Sequence, residues 1–378
     1  MSTLADYASV EGSLVATSRM GNELVEVLSI PAYDNFRSPE MARPTDIGSG
    51  KSKVNSPCVL VSKLNPRIPR IWLVATPSTR TYCSPEFLQV VPDKSRLDLR
   101  YLYYLLWANA KTIEQSVKGT TGSHQRISRD DVLRLEASIP ALEKQRSIAA
   151  TLGALDDKIE SNRRAATHAM ALARALVDRA TMGRPVSAHS TALQVFMGAA
   201  FKGEKFSAPG LGRPLLRIRD LKTFESQTWT TESRRDETVI QPGDIVVGMD
   251  AEFRATLWLG RESVLNQRVC SFRGKAGVGR AFVLAALDPL LALQERAKTG
   301  TTVIHLNKAD IDTFEVPTLT TEEHRDLSVV TEPLIDLVVA RALESRTLAL
   351  ARDTLLPQLL SGRIRVPDVS ERVQEIAT

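Results

Sequence analysis

Side chains capable of covalent or metal chemistry are sparse in this chain and do not fall at working spacings. Cys58, Cys83 and Cys270 lie far apart, with no Cys-x-x-Cys pair and no histidine cluster nearby. Neither a zinc site nor a disulfide scaffold is expected from them. The five histidines include no pair at ligand spacing. Pro242, Asp244 and Glu252 could open a nuclease motif, but no Glu-x-Lys follows at useful spacing, and strand-end turns account for these residues. Asn65-Pro66-Arg67 is the nearest string to the Asn-Pro-Pro-Tyr element of an amino-methyltransferase. It lacks the second proline and the aromatic that would hold a target base. No GxxxxGK[ST] loop is present to cradle a nucleotide, and Gly119-Thr-Thr-Gly-Ser is too short for one. The chain is therefore expected to carry no catalytic centre, no metal and no cofactor of its own.

What it does offer is hydrogen-bonding groups gathered on loops. In the first half, Ser62, Lys63, Asn65, Arg67 and Arg70 crowd a segment that prolines stiffen, and Ser123, His124 and Gln125 form a second polar loop. In the second half, Lys202, Lys205, Arg217 and Arg219 are candidates to hold a phosphate backbone. Asn266, Gln267 and Arg268 could read bases, and Thr301, Thr302 and His305 stand in the place matching Ser123–Gln125. Arginine suits guanine, Asn or Gln suits adenine, and Lys or Ser commonly holds phosphate. The plain alternative for each is a solvated turn, and Arg268 could instead anchor the strand after it. A net charge of +5 agrees with a nucleic-acid partner without requiring one, because charge matters to binding only when clustered.

The elements that must position these loops form an internal duplication. The segment from His124 and the segment from His305 each run through a polar turn with Asp131 or Asp310. Each then closes a short apolar strand on Pro140 or Pro317, and opens a helix with Glu-x-x-Arg, at Glu143–Arg146 and Glu322–Arg325. Each continues as a long helix containing Leu-Ala-Arg, at Leu172–Arg174 and Leu350–Arg352. Before each copy lies a region of short apolar runs: Cys58–Ser62, Ile71–Ala75 and Phe87–Val91, then Asp244–Gly248 and Val269–Phe272. These read as strands, with helical patches at Leu99–Trp107 and Arg280–Ala297. A chain of 378 residues suits two domains. The spans are 1–140, a central helix 141–183, a second domain 184–318, a C-terminal helix 319–362 and a tail 363–378. No run of about twenty apolar residues and no signal-like N-terminus exists, so a cytoplasmic, membrane-free protein is expected.

The first long helix is predicted over Leu142–Thr181. Ile148, Leu152, Leu155, Ile159, Asn162, Ala166, Ala169, Ala173 and Leu176 recur in steps of three and four, a heptad seam for another helix. The second is predicted over Thr321–Leu360, with Leu327, Leu334, Val338, Leu348 and Leu355 apolar, a kink or split at Pro333 and a bend or end at Pro357. Two such helices of about forty residues, roughly 60 Å at ~1.5 Å per residue, would most simply pair antiparallel and hold the domains apart. The alternative is a coiled coil joining two identical chains. The fold class is thus α+β: two mixed-sheet domains separated by two long antiparallel helices.

Pro140-Ala-Leu-Glu-Lys-Gln-Arg and Leu155-Asp-Asp-Lys-Ile-Glu-Ser-Asn-Arg-Arg resemble the central helix of type I restriction-modification specificity subunits. The tail Leu355-Leu-Pro-Gln-Leu-Leu-Ser-Gly-Arg-Ile-Arg resembles that family's C-terminal end. Ser29-Ile-Pro-Ala-Tyr-Asp, Ser62-Lys-Leu-Asn-Pro-Arg-Ile-Pro-Arg, Arg217-Ile-Arg-Asp-Leu, Gly243-Asp-Ile-Val-Val-Gly-Met-Asp and Leu265-Asn-Gln-Arg-Val-Cys are similar to stretches of its target-recognition domains. The sequence departs from the family in a short region before Ser29 without an opening strand, and in the Glu332-Pro333 break. The resemblance implies a non-catalytic subunit whose two domains read the halves of a split double-stranded DNA target. It implies two modification subunits and restriction subunits as partners, with S-adenosylmethionine, ATP and Mg belonging to those partners. Arg146, Asp156, Asp157, Lys158 and Arg163 would then face outward to dock them. A coiled-coil scaffold that never touches DNA is the alternative function.

Overall fold

The computed structural model describes residues 2–35, 37–116, 126–250, 252–298 and 304–366. The chain divides into two units, Met1–Asp157 with Ala349–Thr378, and Lys158–Leu348. Each contains sheets, short helices and a stretch of both long helices.

In the first unit the strands are β1 (Ser2–Thr3), β2 (Ala8–Glu11), β3 (Ser13–Val15), β4 (Val25–Leu28), β5 (Glu40–Ala42) and β6 (Lys51–Lys53). They continue as β7 (Cys58–Ser62), β8 (Ile71–Val74), β9 (Thr81–Cys83), β10 (Phe87–Pro92) and β11 (Glu136–Ala137). Its helices are α1 (Ile30–Asp34), α2 (Leu99–Ala108), α3 (Ala110–Ser116) and α4 (Arg129–Leu133), and α5 (Leu142–Thr181) begins here. One antiparallel sheet runs β2-β10-β7-β8 and a second runs β3-β6-β9-β4-β5, with β4 and β9 parallel. All five residues of β7 are buried. Strand alternation sends Val59 and Val61 toward Tyr101, Leu102 and Leu106 of α2, and Cys58 and Leu60 toward Leu28, Trp72 and Cys83. A strand covered on both faces reads as an unbroken apolar run, which is why it is legible in sequence. Four strands precede Ser29, so the expected lack of an opening strand is corrected; they are too short to leave a pattern in sequence.

The second unit repeats the plan with β12 (Val186–Ala188), β13 (Leu193–Met197), β14 (Phe206–Ser207), β15 (Arg213–Leu216), β16 (Thr228–Thr230) and β17 (Val239–Ile240). Then come β18 (Ile245–Gly248), β19 (Ala255–Leu257), β20 (Ser263–Leu265), β21 (Val269–Gly274) and β22 (Glu315–Pro317). Its helices are α6 (Arg280–Ala297), α7 (Lys308–Asp312) and most of α8 (Thr321–Leu360). The sheet β13-β21-β18-β19 matches β2-β10-β7-β8 strand for strand. The five-stranded sheet, β14-β16-β15-β20-β17, also carries one parallel pair, β15 and β20. It gains its fifth strand on the opposite edge: β14 beside β16, where the first unit adds β3 beside β6. The terminal pairs β1-β11 and β12-β22 correspond as well.

Both long helices are unbroken, which corrects the expected split at Pro333. Pro333 and Pro357 face outward, and the carbonyl that Pro333 deprives of a donor belongs to Val329, itself 68% exposed. Water can take that hydrogen bond, so the helix continues. The seam of α5 is filled within the chain. In the first unit Ile148 and Leu152 pack with Leu356 and Leu359 of α8. In the second, Ala173 and Val177 share a core with Leu327, Ile335 and Val339, while Lys158 pairs with Glu344 at 3.4 Å, so the helices run in opposite directions there. On α8 the deepest apolar residues are one position from several of those expected: Ile335, Val339 and Leu356 are buried, Leu334, Val338 and Leu355 half-buried.

Candidate nucleic-acid interface

The loop between β7 and β8 is built on its own side chains. Ser62 is buried, and its hydroxyl accepts from the Leu64 amide at 3.2 Å. Lys63 donates to the Pro85 carbonyl. Arg70 grips Asp34 through two hydrogen bonds of 2.8 and 2.9 Å, which holds the Asp34 carboxyl below its ordinary range. Asn65 takes a left-handed backbone with φ 50°, tolerable for asparagine. Asn65 and Arg67 are the exposed members of the group, and Arg67 makes no ion pair among the described residues.

In the second unit Lys202 and Lys205 are exposed. Arg217 lies over the Phe206 ring at 5.7 Å, and Arg219 donates to the Thr228 hydroxyl at 2.9 Å. Asn266 is buried at the turn from β20 to β21, its amide bonded to Leu216, and its Oδ1 has no partner among the described residues. Gln267 and Arg268 form the exposed tip of that turn. His305 Nδ1 lies 2.6 Å from Asp250 Oδ1, and Arg268 Nη1 lies 3.7 Å from the same carboxylate oxygen. Asp250 thereby joins two candidate groups that stand about forty residues apart in sequence. Ser123, His124, Gln125, Thr301 and Thr302 lie outside the described residues.

The duplicated polar turns are capping boxes. Ser128 Oγ accepts from the Asp131 amide at 3.2 Å and Asp131 accepts from the Ser128 amide at 2.7 Å, opening α4. Asn307 and Asp310 do the same for α7 at 2.9 and 2.8 Å. Just before them, Leu64 bridges Arg126 in the first unit and Asp250 bridges His305 in the second. The Ile127 amide donates to the Lys63 carbonyl at 2.9 Å, and the Leu306 amide to the Met249 carbonyl at 2.8 Å. His305 therefore corresponds to Arg126, not to the segment 123–125 with which the sequence pattern aligned it. Two more backbone bonds complete the frame: the Lys63 amide to the Glu86 carbonyl at 2.7 Å, and the Met249 amide to the Arg268 carbonyl at 3.0 Å. Glu86, Arg126 and Asp250 thus sit on the rim, with Arg126 paired to Glu86, and sequence reasoning missed all three. Their only signal was adjacency to the repeated element and to the end of a buried strand.

Several of the helix residues expected to face outward are engaged inside the chain. Asp156 accepts from the Tyr104 hydroxyl and from Arg352 Nη1, both at 2.6 Å, and Asp157 takes both donors of Arg100 at 2.8 and 3.1 Å. Burial and the Asp156 carboxylate push the Tyr104 phenol above its ordinary 10.0. Arg146 is exposed. No helix among the described residues is long and apolar enough to cross a membrane.

Residues 72–167 match the family described as type I restriction modification DNA specificity domain. The type I restriction enzyme EcoBI specificity subunit of Escherichia coli is 29% identical over 182 residues, 47% of this chain and 34% of that protein. The HindI specificity subunit of Haemophilus influenzae is 26% identical over 132 residues, 34% of this chain and 29% of that protein. These alignments span only about a third of the relatives' own length. The crystal structure of a type I restriction-modification S subunit from M. genitalium has the same fold, with TM-score 0.60 at 16% identity over 95% of each chain. The chain is thus similar to specificity subunits of type I restriction-modification systems, and the match to the DNA specificity domain lies at residues 72–167.

Proposed function

We propose that this chain is the DNA-reading, non-catalytic component of a type I restriction-modification complex. Each unit reads one short half of a bipartite duplex target, and the two halves are separated by an unspecified spacer. Two modification subunits and the restriction subunits assemble on it, and S-adenosylmethionine, ATP and Mg act in those partners. The observation that carries this reading is the repetition of one backbone frame: two sheets of matching order, each ending in loops that carry polar and basic side chains. Two similar readers in one chain suit two unlike half-sites, and two similar helix starts suit two copies of one partner. Asn65 and Arg67 in the first unit, and Gln267, Arg268 and His305 in the second, are the base-reading candidates, with Lys202 and Lys205 on phosphate.

The test is methylome sequencing of a clean host that expresses the chain with a cognate modification subunit, against the modification subunit alone. A split adenine-methylated motif that depends on this chain is the expected result. A stable complex with no new motif would favour the scaffold reading.

A further inference from the structure

Resting on that reading, we propose that Asp250 and Glu86 are specificity-determining positioning residues: each holds the basic side chains of its rim toward base edges instead of phosphate. Asp250 follows the end of β18, with its side chain 24% exposed, while those of His305 and Arg268 are 48% and 53% exposed. Because an ionised carboxylate can only accept, the 2.6 Å contact places the imidazole hydrogen on His305 Nδ1 and leaves Nε2 for a ligand. At 3.7 Å, Arg268 is within ion-pair range of Asp250 but beyond hydrogen-bond reach, so its fork of donors stays uncommitted. The Met249 backbone fixes both neighbours, donating to Arg268 and accepting from Leu306.

Electrostatics separates the two roles. A site made to grip phosphate is weakened by a carboxylate at its centre, because the anion cancels the arginine's charge and repels the ligand. A base edge is neutral and presents donors and acceptors together, so it is matched by a cluster of no net charge that displays both. Glu232 accepts from the Lys202 backbone amide at 2.8 Å, but no carboxylate pairs with the ammonium group of Lys202 or Lys205 among the described residues. Both lysines lie a few residues beyond Ala199, which bridges Asn266.

The first unit makes the same device from other residues. Glu86 occupies the backbone position of Arg268, and Arg126 that of His305, while Leu64 stands where Asp250 does. The carboxylate stands on a different loop of the frame in each unit, and its arginine moves to the position of His305 in the first, yet each rim ends with one carboxylate–arginine pair. Two rims that set the carboxylate and the arginine at different positions of one frame would select different bases.

The test is selection from a randomised duplex library by the purified complex carrying wild-type chain, Asp250→Asn, Glu86→Gln or Arg268→Gln, with thermal melting of each. Asp250→Asn should relax one or two positions of one half-site by on the order of tenfold, the discrimination of one good side-chain–base pair, leaving the other half and the melting temperature unchanged. Glu86→Gln should relax the opposite half. Arg268→Gln, on an exposed turn, should relax the same positions as Asp250→Asn. An unaltered split motif in the Asp250 and Glu86 variants overturns the inference alone. So does uniform weakening of both halves with a lowered melting temperature, which marks a structural role. If the wild-type chain selects no sequence at all, the DNA-reading function falls first and this inference with it.

Discussion

The junctions between sheet domain and long helix differ in the two units more than the sheets do. With the helix starts aligned, Leu142 on Thr321, position 157 falls on 336, 153 on 332 and 145 on 324. Both units use the first of these alike: Arg100 pairs with Asp157, and Arg280 with Asp336. The other positions diverge. In the first unit Asp98 caps α2 with its own side chain, accepting from the amides of Arg100 and Tyr101 at 3.0 and 2.9 Å. Buried Gln145 meets the Asp98 amide and the carbonyls of Arg96 and Pro140 at 2.8–2.9 Å. In the second unit the cap residue is Gly279, which has no side chain to offer. Glu332 of α8 reaches across instead, accepting from the Arg280 amide and from Arg280 Nε at 2.7 Å. A Cβ on Gly279 would press on Ser328 and Glu332, and one on Gly153 would run into the Arg100 guanidinium. Gly279 makes room for the Glu332 carboxylate, and Gly153, which stands at the position of Glu332, makes room for the Arg100 guanidinium. Deeper in, Asp156 and Arg352 form an ion pair roofed by Tyr104, whereas the corresponding pair, Ile335 and Ala173, is wholly apolar. One backbone frame can be closed by a polar network or by packing, provided every buried polar group is answered.

The largest effect is expected at the polar closure. Arg352→Ala leaves Asp156 without its cation in a partly buried place and should cost roughly 2–4 kcal/mol in denaturant unfolding. Burial alone would lower the Arg352 guanidinium, but Asp156 and Asp353 hold it above its ordinary range, so the cation stays charged at all working pH. Replacing the whole group with Tyr104→Phe, Asp156→Ile and Arg352→Ala, in imitation of the other unit, should recover most of that loss. A triple variant less stable than Arg352→Ala would break the equivalence. Next, Glu332→Ala removes both the cap of α6 and one partner of Arg280, at about 1–2 kcal/mol. Asp98→Ala removes only a cap and should cost about 1 kcal/mol by the same measurement.

The smallest effect is a pH dependence confined to one junction. His324 takes the place of Gln145, buried edge-on against Phe282 at 4.6 Å, and its Nδ1 has no partner among the described residues. Burial, only partly offset by Glu323, lowers its pKa from the ordinary 6.5. The folded chain therefore binds fewer protons here than the unfolded chain. This contribution to stability is whole above about 6.5 and is lost as pH falls below it toward the folded value. Melting compared at about pH 7.5 and 5.5 should show His324→Gln less sensitive to acid than the parent by up to about 1 kcal/mol. An identical pH slope would mean that the imidazole is not kept neutral.

Much of this organisation was legible beforehand. The bounds of α5, α6 and α8 agree with the periodic apolar pattern, and β7, β8, β10, β18 and β21 with their apolar runs. The strands of the five-stranded sheets were mostly unreadable, because two to four residues with half-exposed faces carry too little periodicity. Among the site residues, Arg67, Arg268 and His305 lie on exposed rims as loop chemistry suggested, while Ser62 and Arg70 are tied into the loop's own construction.

Local sequence alone could establish the two long helices, the order of sheet and helix, and the duplication, because these depend on periodicity, capping and turn chemistry along a contiguous segment. It could not pair Asp250 with His305, Glu86 with Arg126 or Glu332 with Arg280, nor show that Pro333 would be harmless. Those contacts join residues 40 to 55 positions apart, and only the packed sheets and helices decide which charged groups come within reach of one another and which faces meet water.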